Sequence, residues 1–151
     1  MTAINHAVTG SIIAAYIHDP AIALPLALLS HFALDSLPHL GIDSHKTRLF
    51  KKVLATDVAL SILFLVVIVI FQPANWLLII ACALLAMSPD LMWLPPFIRE
   101  LKHRPARQQN LIMRFHQSIQ RHEYTWGYLV EIPWLIVTFS FLTITLNRHW
   151  G

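Results

Sequence analysis

The chain has 151 residues, of which 56% are hydrophobic and 13% charged, with a mean hydropathy of +0.59. Soluble domains hold about 45–50% apolar and about 25% charged residues, so a soluble globular domain is excluded. A single cysteine, Cys82, excludes both a disulfide framework and a cysteine metal site. The formal net charge of +3 resides in basic loops, with no basic face interleaved with stacking aromatics, so nucleic acid is excluded as a partner.

Apolar segments of membrane-crossing character recur along the chain. The first two, at about 4–17 and 21–37, are short for spans, and Pro25 interrupts the second. The polar turn His18-Asp19-Pro20 joins them into a helical hairpin, short or tilted. Residues 53–71 hold one charge, Asp57, and end at the turn Gln72-Pro73-Ala74-Asn75. Residues 76–94 are apolar apart from Asp90, and Pro95-Pro96 is expected to stop them, because successive prolines cannot continue a helix ladder. Residues 106–121 read as an amphipathic helix opened by Pro105, with Leu111, Ile112, Phe115 and Ile119 on one face. A last span, 127–146, carries Glu131 as its one charge, with Trp126 and Trp150 at the positions of interfacial aromatics. The expected fold class is all-α: one domain over 1–151, a polytopic integral membrane helical bundle of about five membrane helices plus one cytoplasmic amphipathic helix.

Loop charges orient this bundle. Lys46, Arg48, Lys51 and Lys52 lie between the second and third spans, and Arg99, Lys102, Arg104, Arg107, Arg114 and Arg121 between the fourth and fifth; Arg148 alone lies elsewhere. Cytoplasmic loops hold the excess of Lys and Arg. Both loops are therefore expected in the cytoplasm, with the amino terminus inside and the carboxyl terminus outside, in a bacterial-type inner membrane. No basic segment precedes the first apolar stretch and no small-residue cleavage site stands out, so a cleaved signal peptide is not expected.

An ionisable residue inside a span costs about 2.5–3.5 kcal/mol on insertion scales and usually marks function. Here His6, His31, Asp35, Asp57, Asp90 and Glu131, with His39 just beyond its helix, all fall toward the cytoplasmic ends of their segments. His31 and Asp35 are four residues apart and share a helix face. Pro38 is expected to end that helix and turn His39 back toward the same place. Such nitrogen and oxygen donors suit a divalent metal, zinc first, with manganese or magnesium where carboxylates dominate. The competing reading makes His31 and Asp35 a hydrogen-bonded pair that pins helix packing. Pro89 bends its helix beside Asp90, either aiming the acid inward or letting it snorkel. Asp57 and Glu131 lie only a turn inside their spans, where an acid can reach water. His116 and Glu123 are two turns apart on one face and can bring a base or further ligands over the site, or stand solvated on a surface helix. His18, His45, His103 and His149 are read as solvated.

Asn5-His6-Ala7 with small residues following, His31-x3-Asp35-x2-Pro38-His39 in an apolar helix, Pro89-Asp90 in a later one and a His-bearing segment after it resemble the small bacterial membrane-bound metal-dependent hydrolases over most of the chain. The resemblance implies His6, His31, Asp35 and Asp90 as metal ligands. The His-x3-Asp run with its Pro and His is also similar, locally, to the zinc-dependent phospholipase C and nuclease fold, although the long soluble helical domain and full histidine set of those enzymes are missing. The basic loop carries no second His-x3-His cluster. Phosphate-cradling glycine loops, a Gly-x-Ser-x-Gly elbow and the signatures of lipid phosphotransferases and membrane lipid phosphatases are absent too.

The expectation is a hydrolase opening at the cytoplasmic interface, with His6, His31, Asp35, His39 and Asp90 as metal ligands and Asp57, His116 or Glu123 as general base or orienting group. Membrane lipids are the expected partners, and a lipid or lipid-linked phosphate ester the expected substrate. The segment 106–121, with Arg107, Arg114 and Arg121 on one side, would act as a lid at headgroup level. Alternatives are a metal-ion or proton transporter, disfavoured because Phe64–Ile70 and Trp134–Leu142 offer only Thr138 and Ser140, and a noncatalytic scaffold held together by the polar cluster.

Overall fold

The structure is a computed structural model that describes residues 1–42, 47–103 and 111–148. Helices α1 (Ala3–Tyr16) and α2 (Pro20–Asp35) form the expected hairpin. The Asp19 side chain accepts from the Ala21 amide at 2.9 Å, and Pro20 opens α2 where a missing N–H costs nothing. Helix α3 (Arg48–Phe71) starts on Thr47, whose hydroxyl accepts from the Phe50 amide at 3.1 Å. Gln72 and Asn75, both left-handed at φ 44° and 59°, turn the chain directly into α4 (Trp76–Met87).

Pro89 supplies no N–H to the Leu85 carbonyl, and the Ser88 hydroxyl donates to that carbonyl instead at 2.8 Å. The helix tightens there into a 3-10 segment, Ser88–Trp93, before α5 (Leu94–Leu101). Pro95 and Pro96 thus do not stop the run. They occupy the first turn of α5, where their missing donors are not needed, and the apolar stretch continues from Trp76 to Arg99.

Of the expected amphipathic helix 106–121, α6 (Leu111–Ile119) is described; Pro105, Arg107 and the residues up to Asn110 lie outside the described residues, as does His45. Helix α6 turns His116 inward and leaves Leu111, Ile112 and Phe115 exposed. A two-residue parallel pairing, β1 (His39–Leu40) with β2 (Glu123–Tyr124), ties the chain after α2 to the chain before α7 (Tyr128–Arg148). Gly127 is required beside it, because a Cβ at that position would collide with the His39 carbonyl.

Helix α1 is the centre of the bundle. It touches α2, α3, α4 and α7, and its buried face is built from Ala7, Gly10, Ser11, Ala14 and Ala15. Small residues let backbones approach, which is how helices pack without a hydrophobic driving force between them. A Cβ at Gly10 would stand 2.6 Å from the Cys82 carbonyl oxygen and 2.9 Å from the Ala86 side chain. The outer surface is the reverse: Ile62, Leu63, Ile70 and Phe71 of α3 and Ile136, Val137 and Ile144 of α7 are exposed. A polar-bearing interior inside an apolar exterior is the arrangement a bilayer demands.

Among the described residues, three helices are long and apolar enough to cross a membrane: Arg48–Phe71, Trp76–Arg99 and Tyr128–Asn147. With 14 and 16 residues, α1 and α2 reach only about 21 and 24 Å, short of the roughly 30 Å hydrocarbon thickness. The expectation of about five spans therefore reduces to three helices of spanning length, packed around a shorter central hairpin.

Replacing Gly10 by Leu should force α1 away from α4 and cost about 1–3 kcal/mol. A lowered thermal midpoint of the detergent-solubilised protein would show it, and an unchanged midpoint would contradict this close packing.

Candidate metal centre

The sequence alternates helix directions, so the start of α1, the end of α2, the start of α3, the end of α4 and the start of α7 meet at one end of the bundle. At their meeting point is Asp35, with no exposed surface. Its Oδ2 lies 3.1 Å from His31 Nε2, 3.2 Å from His116 Nε2 and 3.0 Å from Gln120 Nε2. Its Oδ1 accepts from the Met1 α-amino group at 2.6 Å and stands 3.1 Å from His6 Nε2. Asp90, aimed inward by the 3-10 turn, places Oδ1 at 3.8 Å from His31 Nε2 and Oδ2 at 3.9 Å from His6 Nε2.

His31 is oriented by backbone. Its Nδ1 is 2.8 Å from the Ala86 carbonyl oxygen, which can only accept, so Nδ1 carries the proton and a neutral His31 turns a bare Nε2 lone pair to the site. Histidines that bind metals are commonly held this way, through a backbone carbonyl on the far nitrogen. That lone pair faces His116 Nε2 at 2.9 Å. One proton on His116 Nε2 cannot serve both His31 Nε2 and Asp35 Oδ2. A cation between them satisfies every lone pair at once.

One donor atom from each of His31, Asp35, Asp90 and His116 lies within 4.8 Å of the others, and this group can hold a metal ion. A tetrahedral zinc site with bonds of 2.0–2.2 Å sets neighbouring donors about 3.3–3.6 Å apart; four of the separations run from 2.9 to 3.8 Å, and all four donors lie within 4.8 Å of one another. His6 gives a second sign of fit. It is fully buried, stacked on the His31 ring with centroids 4.1 Å apart; its Nδ1 makes no hydrogen bond, and its Nε2 meets Asp35 Oδ1 at 3.1 Å. Buried polar atoms without a partner are uncommon in folded proteins and call for an explanation such as an ion.

The other sequence-derived candidates stand apart. His39 does not return to the centre: its Nδ1 donates to the Leu37 carbonyl at 2.8 Å, and its Nε2 is 3.8 Å from the half-exposed Glu123 carboxylate. The β1–β2 pairing holds both residues beyond the site. Asp57 caps α1, accepting from the Ala3 and Ile4 amides at 2.8 and 3.0 Å. Those are two of the four amides that a helix start leaves unpaired. Glu131 completes this collar, accepting from the Thr2 and Leu40 amides at 3.1 and 2.9 Å, with Asn5 Nδ2 at 3.4 Å. Glu131 is buried and Asp57 half-buried, and both carboxylates fix the helix that carries His6. Sequence reasoning missed Gln120, although its place four residues after His116 puts it on the same face. The Met1 amino group had no sequence signal at all.

Access is one-sided. The His6, His31 and Asp35 side chains have no exposed surface and His116 has 6%, whereas Asp90 retains 19%. Of the four donor residues Asp90 is the most exposed, and it lies on the 3-10 segment, which touches α6.

Compared with known proteins, the chain matches no family model, no curated protein and no solved structure. The chemistry of the site rests on its own geometry.

Asp57→Ala should destabilise the protein by about 1–2 kcal/mol through loss of the α1 cap while leaving bound metal per chain unchanged. Thermal melts and elemental analysis of the same preparation check both halves, and metal loss without destabilisation would return Asp57 to the site.

Proposed function

We propose that this chain is a membrane-embedded, metal-dependent hydrolase that works at the cytoplasmic interface on the phosphate ester of a lipid or lipid-linked substrate. The observation that carries the reading is the buried convergence of His31, Asp35, Asp90 and His116 donors within 4.8 Å. A divalent ion held there would polarise a phosphoryl oxygen and bring the pKa of a water toward neutrality. The residues themselves do the rest. The Ala86 carbonyl keeps the His31 ring in one orientation, so its donor atom needs no rearrangement. Gln120 holds Asp35 Oδ2 from the side of α6, and burial of His6, His31 and Asp35 keeps bulk water from the inner wall.

Asp90 borders the entrance, so it meets an arriving headgroup first. Leu91 and Leu94, exposed beside it, continue the apolar outer surface right up to the opening. This favours a substrate that enters laterally and leaves its acyl chains in the bilayer. The exposed Leu111, Ile112 and Phe115 of α6 would lie in the interface above it. The excess of Lys and Arg in the loops at this end of the bundle supports a cytoplasmic setting for it.

Transport fits less well. A path across the bilayer needs polar stations along its length, whereas the interior beyond Ser11 holds Phe64, Ile68, Ile79 and Leu142, and the buried Thr138 and Thr145 hydroxyls are spent on backbone carbonyls of their own helix.

The detergent-purified protein should contain zinc or manganese by elemental analysis. Added metal at about 100 times its Kd should stabilise it by about 2.7 kcal/mol. His31→Ala and Asp35→Ala should abolish both effects, together with any hydrolysis of phosphate monoesters or diesters presented in mixed micelles. A wild type that holds no metal and does not respond to it would remove the proposal's basis.

A further inference from the structure

The two carboxylates at the centre divide their oxygens between two different sets of nitrogens. Asp35 directs Oδ2 to His31 and His116 at 3.1 and 3.2 Å, and Oδ1 to His6 at 3.1 Å. Asp90 divides in the same sense, with Oδ1 nearer His31 at 3.8 Å and Oδ2 nearer His6 at 3.9 Å. Four donors therefore surround one point: His31 Nε2, His116 Nε2, Asp35 Oδ2 and Asp90 Oδ1. A second set, His6 Nε2, Asp35 Oδ1 and Asp90 Oδ2, surrounds a neighbouring point on the far side of the same carboxylates.

One ion in the first set leaves the second unexplained. His6 is buried, and its Nε2 faces only carboxylate oxygens, Asp35 Oδ1 at 3.1 Å and Asp90 Oδ2 at 3.9 Å. Its ring stacks on His31 at 28°, which aims its Nε2 alongside that of His31. A positively charged group already rests against the outer oxygen of this second set, the Met1 ammonium at 2.6 Å from Asp35 Oδ1. The position therefore tolerates positive charge with no exposed surface on either partner.

We propose, building on the hydrolase reading above, that the centre is binuclear. Asp35 and Asp90 bridge two divalent cations, one held by His31 and His116 and the other by His6. Carboxylates that offer one oxygen to each of two ions set them about 3.5–4 Å apart, the spacing of the two-metal sites that cleave phosphate esters. Two such ions clamp both the attacking and the leaving oxygen of a phosphoryl group.

The test uses the full chain purified in detergent, stripped with a chelator, reloaded with manganese and desalted. Two manganese ions per chain are expected, with an exchange-coupled paramagnetic resonance spectrum in place of the six-line signal of isolated ions. His6→Ala should retain one ion per chain and show the isolated-ion signal. His6→Gln should do the same if removal of the ring unsettles the fold. One uncoupled ion in the wild type, unchanged in both variants, would overturn the binuclear centre and leave the hydrolase reading standing, with the ammonium as the only cation on Asp35 Oδ1. An ion content of zero in wild type and variants would overturn both.

Discussion

Asp35 carries a carboxylate that has no contact with solvent in the middle of a bundle whose outer surface is apolar. Burying such a charge without partners costs several kcal/mol, so the groups that face it are requirements of the fold. They come from three places: the chain start and His6 at the beginning of α1, His31 from one turn earlier in α2, and His116 and Gln120 at the end of α6. The carboxylate thus decides where α1 begins relative to α2, and why α6 returns to the bundle with its one buried histidine inward. The exposed hydrophobic residues of α6 are the consequence of that choice.

The same logic extends outward one layer. Helix α1 starts half-buried against its neighbours, and carboxylates from α3 and α7 supply acceptors for its first amides. Glu131 also holds the Leu40 amide, so one side chain links the start of α1, the β1 strand and the start of α7. Three acids that look alike by position in the sequence therefore do two kinds of work: Asp35 receives donor nitrogens at the centre, while Asp57 and Glu131 receive backbone amides around it. Both kinds depend on small residues along α1, since a bulkier face would hold α4 and its Ala86 carbonyl too far away to orient His31.

Much of this could be read from residue order. Hydrophobic runs located the three helices of spanning length, because nothing but lipid tolerates their exposed faces. The i, i+4 spacing of His31 and Asp35 put them on one face, and alternating helix direction brought His6 and Asp90 to the same end. Roles were harder to read than places. An acid one turn inside a span looks the same whether it binds a ligand or caps another helix, and only the arrival of α1 at Asp57 distinguishes the two. Pro38 suggested a return of His39, but the direction after α2 is dictated by the pairing with β2, a contact between residues 84 apart in the register His39 to Glu123. Pro95-Pro96 looked like a terminator because the preceding 3-10 turn, which resets the helix start, has no hydrophobic signature. Gln120 escaped notice because a glutamine on a polar helix face gives no reason to be singled out.

The central claim is that the convergence on Asp35 is a metal centre and not a self-sufficient knot of hydrogen bonds. Anomalous X-ray diffraction at the zinc edge, from crystals of the zinc-loaded protein grown in a lipid phase, tests it most directly. The account predicts an anomalous peak within about 2.0–2.2 Å of His31 Nε2, His116 Nε2 and a carboxylate oxygen of Asp35. A fully ordered site with no peak, and with His31, His116 and Asp35 in direct hydrogen-bond contact, would contradict it.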